Sequence, residues 1–505
     1  MKIKTIHIGL LIILVLATSC KNWLDVLPEN DQTSSEYWKT KEDVESVLAA
    51  GYVKLRSNVN SIFIWGEARG SGISFLNLID DDAKNANKLR TLDILPTNSY
   101  SKWGGMYQVI NMVNSVIKYA PSVAQNDESF NVNIMKSYLS EAYFLRALAY
   151  FYLVRTFRDV PFITEPYIND DQDYSVPQSD ETTILNQLVT DLEGSLASAK
   201  EYFEEEDPFN PMNSKGRATR WASQALLADI NLWMGNYDKC ITACDAVISS
   251  GRVGLIARNL WFSNFYPGNS NESIFEIQYS YEKGQTNSFL SWFNTDLRYV
   301  TSSYNMQLYT ENVIDARADS TGDVRGFNST YKYNLYPLIW KYIGVDNDIN
   351  NPQPRSSTNQ NDQNFIIYRL ADIYLMKAEA EIMKGNFSDA QELIQKIRDR
   401  AGVVSTMPTL SNESDALDVL LKERQKEFVA EGKNWFDILR IAKRDNYKYK
   451  DKLIDQVLLM FYSNSQSIIR SKLADVNSYY LPINADELKY NKLLVQNPYY
   501  DNLGK

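Results

Sequence analysis

The sequence predicts a mainly α-helical fold in which paired helices form a scaffold and long loop-rich insertions, with a few short strands, interrupt it. Three observations carry this. Several stretches place their apolar residues on one helical face, two distant segments share one helix-turn-helix template, and two regions lose helical periodicity in favour of Gly, Asn, Ser and Tyr.

Taken in order, Ser35 to Leu55 puts Val44, Val47, Leu48, Tyr52 and Leu55 on one face. Trp103 to Tyr119 does the same with Tyr107, Ile110, Val113, Asn114 and Ile117. Met135 to Phe157 is strongly apolar and stops at Asp159-Val160-Pro161. Thr182 to Ala199, Trp221 to Trp233, Phe365 to Lys384, Asp389 to Arg400 and Ala416 to Arg444 complete the helical set. Loop-rich stretches run over Asn58 to Ser101 and over Ser250 to Asn364, the second with strand-like pieces at Ile274 to Tyr279 and Leu338 to Tyr342. Irregular insertions on a rigid scaffold are where binding surfaces usually lie.

The shared template is specific. Ala228 stands seven residues before Gly235-Asn236-Tyr237, with Cys240 and Cys244 following. Ala378 stands seven before Gly385-Asn386-Phe387, with Ala390 and Ile394 at the same offsets. Small residues let two helices approach, Gly-Asn accepts the left-handed turn, and the aromatic plugs the hairpin. This is a tetratricopeptide-like helix pair, interrupted in sequence between its two copies. The register makes Cys240 and Cys244 small core residues, because one helical turn suits a disulfide poorly and no further thiol or imidazole is at hand to complete a metal site.

The amino terminus reads as an export signal. Lys2 and Lys4 precede an apolar run, Ile8 to Ala17, and Ala17-Thr18-Ser19-Cys20 closes it. Small residues before a cysteine resemble a bacterial lipoprotein signal, cut before Cys20 and acylated on it, although Ala17 replaces the usual leucine. An ordinary secretory signal is the alternative. The expected division is 1–19 signal, 20–255 and 256–505, the last two packed as one unit.

Cleavage removes the only histidine, His7. That excludes a Ser-His-Asp triad, a Cys-His dyad and histidine-ligated zinc from the mature chain. The 52 basic residues, less Lys2 and Lys4, face 63 acidic ones, a net charge of −13 that argues against nucleic acid. Tyr, Phe and Trp make up 12% of the chain, a composition suited to holding sugars or partner chains.

Family motifs run the length of the chain. Tyr368-Arg369-Leu370-Ala371-Asp372-Ile373-Tyr374-Leu375-Met376-Lys377-Ala378-Glu379-Ala380 resembles the main helix of SusD/RagB proteins. Leu421 to Phe428 and Glu431-Gly432-Lys433-Asn434-Trp435-Phe436-Asp437 resemble the next block, with Lys433-Asn434 where His-Arg is usual. Tyr480-Leu481-Pro482-Ile483 and Gln496-Asn497-Pro498-Tyr499-Tyr500 resemble the closing motif, with Asn484 and Tyr499 where proline and glycine are more usual. Cys20 to Val26, Gly66 to Ser71 and Arg146 to Leu153 extend the resemblance through the first half, although Ser71 replaces an aspartate and Arg158 a glycine.

The resemblance implies a non-catalytic, surface-exposed outer-membrane lipoprotein. Such a protein sits lid-like over a SusC-like TonB-dependent transporter and captures a glycan or, in some branches, a peptide.

A sugar needs aromatic planes beside polar groups. The candidates are Trp65, Asp81, Asn85, Asn87 and Arg90 in the first loop, and Tyr279, Tyr281, Trp292, Phe293 and Tyr304 in the second. Trp103, Trp221, Trp233 and Trp435 are assigned to the core. Asp80-Asp81-Asp82 lacks the alternating spacing of a calcium loop and reads as a solvated acidic turn. No other cofactor is indicated. Lys422, Glu423, Arg424, Lys426 and Glu427 read as a solvated charged face. A helical glycosidase would need two facing carboxylates that no motif nominates, and a purely protein-binding scaffold leaves the aromatic insertions unexplained.

Overall fold

The computed structural model describes residues 37–501 apart from 170–171, 204–211, 311–322, 334–335, 347, 349–350 and 357–359. The signal, Cys20 and the start of the first predicted helix lie outside the described residues. The scaffold is helical. After α1 (Lys41–Ser57), α2 (Val59–Glu67) and α3 (Asp81–Arg90) come the long α4 (Gly104–Asn126) and α5 (Val132–Phe157). They are followed by α6 (Glu181–Ser195), α7 (Arg220–Met234), α8 (Tyr237–Ser249), α9 (Leu370–Met383), α10 (Phe387–Ala401), α11 (Glu413–Glu427) and α12 (Asn434–Ala442).

The interruption between the two template copies exists in sequence but not in space. Helices α1, α4, α5, α6, α7, α8, α9 and α10 pack successively, each on the next, so the row passes from α8 straight to α9. Lys377 pairs with Asp245 at 2.5 Å and Lys384 with Asp238 across that junction. Both template turns are built alike. Gly235 and Gly385 are left-handed at φ 81° and 80°, and Asn236 and Asn386 donate their backbone N–H to Asn231 and Glu381. Cys240 and Cys244 are free and buried against this seam.

Two predicted helices prove to be composite. Phe365 to Arg369 is a fully buried strand, antiparallel to Ser273–Ile277, before α9 begins at Leu370. Its Phe-Ile-Ile-Tyr run has no polar face to reveal a period, so a buried strand and a buried helix read alike. The stretch Ala416 to Arg444 breaks between α11 and α12, where Ala430 and Gly432 are left-handed at φ 60° and 72°. The segment read as a loop, Asn58 to Ser101, carries α2 and α3. Helix α2 is buried on nearly all sides and so lacks an amphipathic stripe, while α3 is capped by Asp80, whose carboxylate accepts from the Ala83 amide. Leu338 to Tyr342 likewise divides, into the end of a short hairpin and one turn of helix.

The charged run of α11 is buried rather than solvated, Lys422 alone remaining exposed. Glu427 lies between Arg369 at 2.5 Å, Arg325 at 3.0 Å and Arg400. Arg369 also reaches Glu272 and Glu431, each at 2.9 Å. On the neighbouring face Arg424 joins Asp372 and Asp437, and Arg440 and Arg444 converge on Glu379. Burial alone would raise Glu379, but Arg440, with Arg444 and Arg424, holds it down to about 2. The partners come from distant parts of the chain, so the local sequence of α11 cannot show that its charges are neutralised. Removing one member would strand its partners in low dielectric, where the cost is several kcal/mol.

Candidate ligand-binding face

The first and second loop regions meet at a two-stranded antiparallel pairing of Ile73–Phe75 with Tyr299–Thr301. Beyond it Leu76 and Asn77 donate to the carbonyls of Arg298 and Leu297. Beside the pairing lies an aromatic cluster of Phe63, Phe289, Trp292, Phe293, Tyr299 and Tyr342, and Phe75 of the first strand meets Tyr299 edge-on at 5.0 Å. Phe293 stacks on Tyr342 at 5.4 Å, and Phe289 on Phe293 at 5.8 Å.

Trp65, Trp292 and Phe293, expected to offer planes to a ligand, are instead part of this cluster and its surroundings. Their exposures of 1%, 2% and 0% leave no ring face open. The Trp65 indole N–H donates to the Tyr100 carbonyl and its ring meets Phe157 edge-on. The reason is positional: Trp292 and Phe293 pack on Phe63, Phe293 on Tyr342 and Trp65 on Phe157, partners distant in sequence that the local pattern does not reveal. Of the tryptophans assigned to the core, Trp103, Trp233 and Trp435 are buried and Trp221 is partly so.

The acidic turn finds an arginine. Arg298 reaches Asp80 at 2.6 Å, Asp82 at 3.5 Å and Asp296 at 3.4 Å, so the charge of the turn is answered by a guanidinium from the other loop. Asp81 points outward and pairs with Lys84 at 3.3 Å. Asn85 and Asn87 are half-buried, and the Asn85 carbonyl accepts from the Asn98 amide. Arg90 donates to the Met460 carbonyl at 2.9 Å and lies over Phe75 and Phe461 at 5.9 and 5.7 Å. Burial lowers its pKa. Asp81, Asn85, Asn87 and Arg90 therefore share α3, one helix on the rim of the loop pairing.

Tyr281 sits on a separate turn closed by Ser280 and Gln285. It is exposed, with its backbone held by the Asp362 carboxylate. The Tyr279 hydroxyl donates to the Arg56 carbonyl, which holds that ring against the scaffold. Tyr304 is half-buried and its hydroxyl donates to Gln425.

What the face shows to solvent beside α3 is aliphatic. Leu76, Leu78 and Ile79 are exposed, Ile79 by 56%. These residues and Arg298 escaped the sequence reading. The available signal was an apolar run continuing past a strand into Asp80-Asp81-Asp82, with no periodic element to bury it.

Two family descriptions match the chain, the SusD family over residues 261–500 and a family described as starch-binding and associating with the outer membrane over 22–232. A SusD-like protein P38 of Formosa agariphila is 26% identical over 88% of this chain and 92% of its own length. Among solved structures, surface glycan-binding protein A of Bacteroides uniformis aligns with a TM-score of 0.72 at 20% identity, covering 91% of this chain and all of that one. A laminarin-binding SusD-like protein aligns at 0.69 and 22% identity, covering 91% of this chain and all of its own. The helical row, the two composite blocks that interlock within it and matches that together span both halves of the sequence place this chain in the SusD family.

Proposed function

We propose that the mature protein is a cell-surface lipoprotein, anchored through Cys20 in the outer membrane, that captures oligo- or polysaccharide. It passes the glycan to a SusC-like TonB-dependent transporter and performs no catalysis of its own. The observation that carries this reading is the ordered match of both halves to one family, one half under a starch-binding, outer-membrane description. Relatives of the same fold are named for laminarin binding and surface glycan binding. The absence of histidine after signal removal is consistent with capture rather than turnover. No helix among the described residues is long and apolar enough to cross a membrane.

On this reading the rim residues Asp81, Asn85, Arg90, Tyr281 and Tyr304 supply polar and aromatic contacts around the loop pairing. The exposed Leu76, Leu78 and Ile79 favour a second reading, a RagB-like peptide-uptake protein, because an aliphatic strip beside charged groups suits peptide side chains. Affinity electrophoresis of the unlipidated mature protein through gels carrying single polysaccharides tests the choice. Retardation by one neutral glycan, weakened in Arg90→Ala or Tyr281→Ala, is the expected result. Binding to a peptide panel with no retardation in any polysaccharide gel would move the protein to the peptide branch.

A further inference from the structure

A second aromatic hollow lies away from the loop pairing, between the first turns of α4, the segment after α5 and the carboxy-terminal stretch 487–494. It encloses about 270 Å³ and is bounded chiefly by Trp103, Tyr107, Tyr167, Tyr174, Glu487 and Tyr490. Its walls are fixed by hydrogen bonds that leave the rings in place. The Tyr107 hydroxyl donates to the Pro161 carbonyl at 2.7 Å. Asn111 clamps Tyr167 from both sides, donating to its carbonyl at 3.0 Å and accepting from its amide at 2.7 Å. Tyr167 and Tyr174 stack at 4.6 Å and 30°, and Asn491 ties the carboxy-terminal stretch to the Val176 carbonyl.

Two polar groups at this hollow are unspent. Among the described residues neither the Glu487 carboxylate nor the Tyr490 hydroxyl has a hydrogen-bond partner, and Tyr490 is 75% exposed. Glu487 is half-buried and borders the hollow. The neighbouring backbone carbonyls are already occupied. Pro161 serves Tyr107, Ile163 serves Asn114 and Tyr150, and Tyr167 serves Asn111. A sugar ring would find tyrosine faces for its C–H side and a carboxylate able to accept from adjacent hydroxyls. The volume falls just below the roughly 300–1,000 Å³ of clefts that enclose drug-sized ligands, which suits a terminal ring rather than a length of polymer.

We infer that this hollow is a binding site for the terminal pyranose of a neutral oligosaccharide, distinct from the loop face and built on the helical scaffold. Gly104 gives a clean test, because it borders the hollow and a Cβ added there meets no atom within 4 Å. Gly104→Leu would therefore add bulk at the border of the hollow without a clash at its Cβ.

The probes are maltose, cellobiose, laminaribiose and lactose, followed by saturation-transfer NMR and by Trp103-sensitive fluorescence on the mature protein. At least one disaccharide is expected to bind, with Gly104→Leu and Tyr490→Ala weakening it about tenfold, the loss of one stacking contact of roughly 1.4 kcal/mol. Glu487→Gln is expected to weaken it about fivefold, because the amide oxygen still accepts and only the assistance of the charge is lost. Lys422→Met, at an exposed position that lines neither the hollow nor the candidate rim, leaves the binding unchanged, and circular dichroism confirms that each variant is folded. Silence for all four disaccharides would overturn the inference, as would binding that Gly104→Leu leaves intact. Tetramethylammonium bound more tightly than any sugar, and displaced by Gly104→Leu, would overturn it in favour of a cation cage. Retention of the wild type on a polysaccharide is read separately, so the loop-face proposal stands or falls independently.

Discussion

Glu67 and Arg369 illustrate two fates of a buried charge. Glu67 accepts from the backbone amides of Gly432 and Lys433 with one carboxylate oxygen, while the other has no partner among the described residues. Burial outweighs those amides and pushes its pKa up to about 8. A carboxyl raised from 4.5 to about 8 contributes stability that is complete below pH 4.5 and lost as the pH rises towards 8. Urea titrations at stepped pH should therefore show the midpoint falling across this window, with Glu67→Gln flattening the slope. An unchanged slope in the variant would mean that Glu67 titrates normally. Arg369 is the opposite case, satisfied by three carboxylates. Arg369→Met should cost about 3–5 kcal/mol by leaving Glu272, Glu427 and Glu431 short of a partner. Lys422→Met, on the exposed side of the same helical region, should stay within about 0.5 kcal/mol. Equal effects in the two unfolding curves would contradict the buried network.

At the scale of elements, the interlock of α2 with the α11–α12 junction makes glycine necessary. A Cβ on Gly66 would stand 1.9 Å from the Gly432 carbonyl oxygen, a backbone atom that cannot swing aside. Gly66→Ala should cost about 3 kcal/mol or more, whereas Gly235→Ala, which meets only the left-handed strain of φ 81°, should cost about 1–2 kcal/mol. Thermal unfolding of the two variants ranks them, and a reversed order would contradict the close approach.

The same elements mark what the sequence could carry. Helices with a solvent face, such as α1, α4 and α10, were legible from periodicity, and α8 and the Gly-Asn turns from their template. Helix α2 and the strand 365–369 were not, because burial on every side erases the period. The candidate face was legible as a region but not ring by ring. Trp292 and Phe293 are buried by packing on Phe63 and Tyr342, rings far away in sequence, while Arg298 is brought to Asp80 beside the pairing of the two loop segments.

Among the described residues the main apolar core runs from Val44 to Tyr500 and draws on both halves of the chain, beside a small second cluster of Trp261, Phe265, Val324 and Ile366. Calorimetry of the mature protein should give a single cooperative transition, and two resolved transitions would show that 20–255 and 256–505 unfold separately. On the proposed function, that continuous scaffold is the frame on which the loops form a capture surface. The central claim is capture without cleavage. Titration calorimetry with the polysaccharide that retards the protein, followed by prolonged incubation and assay of new reducing ends in the same samples, tests it most directly. The account predicts saturable heat, a constant stoichiometry and no reducing ends above the protein-free control. Reducing ends that accumulate in proportion to protein and time would contradict it and make the protein a glycoside hydrolase.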